Sequence, residues 1–191
     1  MRNPYLFGYL PFVTILLFSL TFGVYTVGVS IELFKEIGLY SGMREFLTDI
    51  QFRISLLILY TLLFFMIFSA LKLIAETIHE TAMLFFSRDI DGKSYSEGRG
   101  GNIIYFFGSL ISAGGIHSLK LLVAIFLVTT FIYFIYLVYK LSKFMTIIST
   151  IGLIIFEITS WSVLISVIIY IVLRLYNGVI ASLPFQGKSI G

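Results

Sequence analysis

Long apolar runs separated by short polar stretches set the pattern of this chain, and the polar stretches mark where predicted helices begin and end. From Asn3 to Ile31 there are 29 successive residues without a charge. About 20 mostly apolar residues cross the roughly 30 Å of a bilayer's hydrocarbon as a helix. The run therefore predicts a first span over about 5–31, with Pro4 and Pro11 near its start, where a helix tolerates proline. A signal peptide is the competing reading. The run is longer than an ordinary h-region and no A-x-A-like site follows it, so a retained span is expected.

Residues 32–53, ELFKEIGLYSGMREFLTDIQFR, are mixed, with Gly38 and Gly42 flanking a predicted break. Beyond it Glu45, Asp49 and Arg53 recur every fourth residue while Phe46, Leu47 and Ile50 take another face. That is an amphipathic turn feeding a second span over 54–75, with Asp49 and Arg53 in the favourable order for an ion pair. The stretch 87–102, SRDIDGKSYSEGRGGN, is a hydrophilic loop. Residues 103–116, IIYFFGSLISAGGI, are apolar but short, and Gly114-Gly115 breaks helicity there, which predicts an interfacial or re-entrant segment leading into the third span. A third span follows over 121–139, 19 residues giving about 28 Å. Lys140 and Lys143 mark a tight turn, and a fourth span covers about 145–173 with one charge, Glu157. No internal repeat is visible. The expected fold is all-α: one integral membrane domain, 1–191, of four transmembrane helices plus amphipathic or re-entrant segments.

Composition supports that reading. Of the 191 residues 59% are hydrophobic and 12% charged, against about 25% charged in a soluble domain. One soluble core of this size could not hide so much apolar surface. Twenty Phe and twelve Tyr supply interfacial anchors. The absence of cysteine excludes disulfides, thiolate metal sites, thiol redox chemistry and palmitoylation. The net charge of +3 is spread between the spans rather than gathered in a patch, so nucleic acid is not an expected partner.

The same bases predict orientation. Four spans place Arg2, Lys72, Arg88, Lys93, Arg99, Lys120, Arg174 and Lys188 on one side and Lys35, Arg44, Arg53, Lys140 and Lys143 on the other. The positive-inside rule then puts both termini and loop 87–102 in the cytoplasm. A fifth span at 103–119 would move the C-terminus outside.

Candidate chemistry is sparse. In SALKLIAETIHETAMLFF (69–86) Glu76, His79 and Glu80 share a helix face, and Lys72 precedes Glu76 by four residues. Glu-x-x-His is the ligand pattern of di-metal bundles, but it occurs once here and those sites need it twice plus two further glutamates. His79-Glu80-Thr81-Ala82-Met83 lacks the second histidine of a zincin. The favoured reading is a helix emerging from the bilayer, with a surface ion pair and no metal. Ser87-x-Asp89-x-Asp91-Gly92 resembles half an EF-hand loop, but Glu97 falls one residue early for the bidentate ligand, so calcium is not expected.

Glu157 lies deep in the fourth apolar run, where an unpaired carboxylate is costly. Helical spacing gives it a face with Thr150, Ile154, Ser160, Trp161 and Leu164. Glu157, Ser160 and Trp161 are therefore a candidate proton- or cation-responsive site; the competing reading is a neutral Glu that holds helices together. Ser19-x-x-x-Gly23, Ser109-x-x-x-Ala113 and Ser162-x-x-x-Ser166 would permit close helix approach. There is no P-loop and no Gly-x-Ser-x-Gly.

The runs GLYSGM (38–43), LLFFMIFSALKLIAETIHE (62–80) and RLYNGVIASLP (174–184) resemble the YufK-like family of small membrane proteins from Gram-positive bacteria. The resemblance implies a multi-pass protein of the bacterial plasma membrane and carries over no catalytic residue or cofactor. Three functions remain open at this point: a non-enzymatic accessory or scaffold protein, a small proton- or cation-linked transporter or channel component using Glu157, and a membrane metalloenzyme built on Glu76, His79 and Glu80. The expected partners are the lipid bilayer and either further copies of the chain or another membrane protein.

Overall fold

In the computed structural model, which describes residues 8–87 and 99–182, all regular structure is helical. The first helix, α1 (Leu10–Glu36), has Pro11 in its first turn, where no backbone donor is lost, and Gly38 in the left-handed region (φ 77°) turns the chain beyond its end. A short α2 (Leu39–Met43) leads to α3 (Asp49–Phe86). Thr48 caps α3 by accepting from the Gln51 amide, and the Gln51 side chain accepts from the Thr48 amide in return. At 38 residues α3 is about 57 Å long, well beyond the thickness of a bilayer. Then come α4 (Asn102–Ser112), α5 (Leu119–Leu141) and α6 (Ile147–Ser182). Four helices, α1, α3, α5 and α6, are long and apolar enough to cross a membrane.

Aromatic rings and small residues hold the bundle together. Against α3, α1 runs antiparallel, with Phe22 packed on Phe64 and Phe68, and Ser30 Oγ 2.7 Å from the Tyr60 hydroxyl. Gly23 sits so close to Thr61 that an added Cβ would stand 2.8 Å from its Oγ1, as small residues allow where helices associate in lipid. Thr21 and Ser112 hydroxyls, 3.0 Å apart, tie α1 to α4.

The direction of α5 departs from the sequence expectation. Four alternating spans would make α3 and α5 antiparallel. Instead Phe68 meets Phe126, and further along both helices Ala82 shares a core with Leu137 and Leu141. The two helices are parallel. The return pass is made by α4, which pairs antiparallel with α5: Gly101 lies against Tyr133 and Tyr136, Tyr105 against Thr130, Gly108 against Thr129, and Gly115 against Leu121 and Leu122. Residues 101–115 thus follow α5 for about 22 Å, and the turns at either end of α4 lie at opposite ends of the bundle. The apolar face of α4 finds a helix partner along its whole length, and length alone could not reveal that.

Packing on α6 is uneven. Leu153 and Glu157 are buried, and Phe156 meets Phe85 and Phe86. Beyond Trp161 the helix leaves the bundle: Val163, Ile169 and Tyr170 are each more than half exposed.

Candidate functional site

At the level where α6 packs on α3, His79 Nδ1 lies 2.6 Å from Glu157 Oε1. The contact is short, as charge-assisted hydrogen bonds are. Two features of the chain bring it about. The ring of Phe86 occupies the space that a side chain at Gly152 would need, so α6 approaches α3 closely one turn before Glu157. The 3.6-residue period then stacks Leu153 on buried Ala82 and brings Glu157 to the level of His79.

The Glu157 side chain is 7% exposed and that of His79 21%. Apolar Ala82, Leu137, Leu141 and Leu153 form the core beside the pair. A carboxylate in such surroundings needs a partner, and His79 supplies it. From α5, Tyr133 stands within electrostatic reach of both Glu76 and Glu157. Its ring centroid is 4.9 Å from that of Tyr105 on α4. Four helices thus contribute titratable side chains around one buried contact.

The rest of the polar quartet divides. Lys72 donates to Glu76 one turn along α3, and Glu80 is exposed. Glu76 and Glu80 are thus exposed and Lys72 half-buried, whereas His79 turns into the bundle toward Glu157. The face of α6 read from spacing, with Thr150, Ile154, Ser160, Trp161 and Leu164, is half-buried, whereas Ile151, Ile155 and Ile158 are exposed. Among the described residues no three His, Asp or Glu side chains converge as a metal site would require. The EF-hand-like positions beyond Ser87 lie outside the described residues.

Sequence reasoning treated Glu157 and the quartet as separate features and overlooked Tyr133. A usable signal was present. A buried acid needs a partner, and of the two histidines His79 alone lies on a span-length helix; His117 is exposed in the turn before α5.

At the other end of the bundle the Tyr40 hydroxyl donates to Asp49, whose carboxylate also accepts from Arg53 Nε at 2.9 Å. The bond to the carboxylate holds the Tyr40 phenol above its ordinary pKa.

The helices and this interhelical pair define a polytopic α-helical membrane protein. The profile of a family of unknown function, DUF5366, matches residues 27–184, and the chain belongs to that family. It is 35% identical over 184 residues to the "Uncharacterized membrane protein YufK" of Bacillus subtilis (strain 168), an alignment covering 96% of this chain and all of that relative. No solved structure matches the chain.

Proposed function

We propose that the protein is a non-enzymatic module of the bacterial plasma membrane in which the His79–Glu157 contact is a proton-responsive tie between α3 and α6. The observation that carries this reading is a buried glutamate whose hydrogen-bond partner is a histidine on another helix. Histidine is the side chain whose charge ordinarily changes between pH 5 and 8. A short Nδ1–Oε1 bond holds one proton between the two groups and is strongest with imidazolium against carboxylate; it weakens when the glutamate takes up a proton or the imidazolium gives up the one on Nε2. The titratable groups on the elements packed here are Lys72, Glu76 and Glu80 along α3, Tyr133 on α5, which is within electrostatic reach of Glu157, and Tyr105 on α4 and Tyr136 on α5, which neighbour Tyr133. The test is the distance between spin labels on α3 and α6 in the reconstituted protein, read at pH 5, 6.5 and 8. We expect a pH-dependent change in the wild type that Glu157→Gln abolishes. A distance independent of pH in a folded wild type would overturn the reading.

A second reading, a proton- or cation-linked conduit, is favoured by the position of Glu157 within a span-length apolar helix. Liposome flux lost in Glu157→Gln would select it over the tie alone.

Parallel α3 and α5 support a further element of the proposal: α4 completes a crossing, so the two termini lie on opposite faces rather than both in the cytoplasm. Lys120, Arg174 and Lys188 then join the face of Lys35, Arg44 and Arg53, while Lys140 and Lys143 join that of Arg2 and loop 87–102. The division of bases becomes seven against six, and the larger share puts the N-terminal face in the cytoplasm.

A further inference from the structure

We infer that the wedge between α5 and α6 binds an anionic phospholipid, with an acyl chain in the groove and the phosphate at Lys143. The two helices are joined by the short turn 142–146 but do not close on one another, because α6 packs on α3 through Leu153, Phe156 and Glu157. The space left between them is an apolar groove of about 400 Å³ lined by Phe131, Phe134, Ile135, Val138, Tyr139 and Ile154. From Phe131 to Tyr139 it extends along α5 for about 12 Å, most of the depth of one leaflet. An apolar groove of that shape, open to the side where lipid lies, accepts a hydrocarbon chain running along the helix.

The charge at its mouth selects among lipids. Lys143 is exposed, and its Nζ lies 4.7 Å over the ring of Tyr139, a residue that also lines the groove. Lys140 Nζ lies 5.9 Å over Tyr136, one turn away. Tyrosines at this position mark the headgroup level, and a lysine resting on a ring can still turn ammonium donors outward. From Ile103 to Phe156 the sequence contains no acid, so the parts of α5 and α6 that form the groove bring no carboxylate to Lys143. A phosphate on the lipid that fills the groove is the complement of the exposed Lys143 ammonium. This inference does not depend on the protonation of the His79–Glu157 pair.

The experiment is native mass spectrometry of the full chain, purified and exchanged into mixed micelles of phosphatidylglycerol and phosphatidylcholine with identical acyl chains. A basic side chain near an anionic lipid surface is worth roughly fivefold in affinity. Phosphatidylglycerol should therefore be retained about fivefold or more over phosphatidylcholine. Lys143→Gln should remove most of that preference and Lys143→Arg restore it. Ile135→Trp, at a half-exposed groove position, should lower retention of both lipids, whereas Lys35→Gln at the opposite end of the bundle should change neither. Equal retention of the two lipids, an unchanged preference in Lys143→Gln, unchanged retention in Ile135→Trp, or displacement of the lipid by soluble glycerol phosphate would overturn the proposal.

Discussion

The ring of Phe68 on α3 lies 5.1 Å from that of Phe126 on α5, and both helices run from this contact toward the shared core of Ala82, Leu137 and Leu141. That one relationship sets the path of the chain. Two parallel helices, consecutive among the long ones, need a connection that runs back along the bundle, and α4 lies on that connection.

The chain has no cysteine, so single-cysteine labelling can read this topology directly. Ser41, His117 and Ser142 are exposed in three different connections. With a membrane-impermeant maleimide, Ser41→Cys and His117→Cys should react from one side and Ser142→Cys from the other. Labelling of Ser41→Cys and Ser142→Cys from the same side would restore the alternating four-span arrangement.

Removing one partner of the buried pair should cost more than altering it. Glu157→Ala strands a largely buried imidazole and should lower stability by about 1–3 kcal/mol. Glu157→Gln keeps an interhelical hydrogen bond of about 1 kcal/mol and should lose less. A double-mutant cycle with His79→Ala, followed by unfolding in mixed micelles, should give a coupling of about 0.5–3 kcal/mol. Additive effects would mean the two side chains do not interact.

Two glycines of α6 should respond in opposite ways. Gly152 faces the ring of Phe86, and Gly178 has open space around it. Gly152→Val should lower stability by about 1–3 kcal/mol by forcing α6 off α3. Gly178→Ala should be neutral, or stabilising by up to about 1 kcal/mol through helix propensity. Thermal unfolding of the two variants side by side checks the contrast, and equal effects would refute it.

The bond from Tyr40 to Asp49 predicts a pH effect with a definite sign. A phenol whose folded pKa is raised contributes stability that is fully present below its unfolded value, about 10, and lost as pH rises through the folded value. Tyr40→Phe should therefore be less stable than wild type by a constant amount through neutral pH, with the difference shrinking above about pH 10. A difference that grows with alkalinity would contradict the bond.

The lipid-spanning helices were legible in the sequence because their cause is local. A run such as Asn3–Ile31 or Leu121–Tyr139 is apolar along its own length, and in hydrocarbon a helix is the form in which a segment satisfies its own backbone. The Thr48 cap, the ion pair of Asp49 with Arg53 and that of Lys72 with Glu76 were equally readable, since each partner lies within four residues of the other. The capping box had to be seen as Thr48-x-x-Gln51, a pattern visible in the sequence yet easily passed over beside the stronger charge periodicity.

What the linear chain could not express was which helix lies beside which, and in what direction. Residues 103–116 look too short to cross, and the Tyr105–Thr130 and Gly108–Thr129 contacts that align them antiparallel to α5 depend on side chains from another helix. His79 and Glu157 are separated by 78 positions and meet where α6 packs on α3, with Phe86 against Gly152 and Leu153 beside Ala82. Solvent preference is a property of a segment and is written residue by residue. Helix partnership arises from shape and from the few polar groups that must find one another in a medium without water, and that match exists only once the bundle has formed.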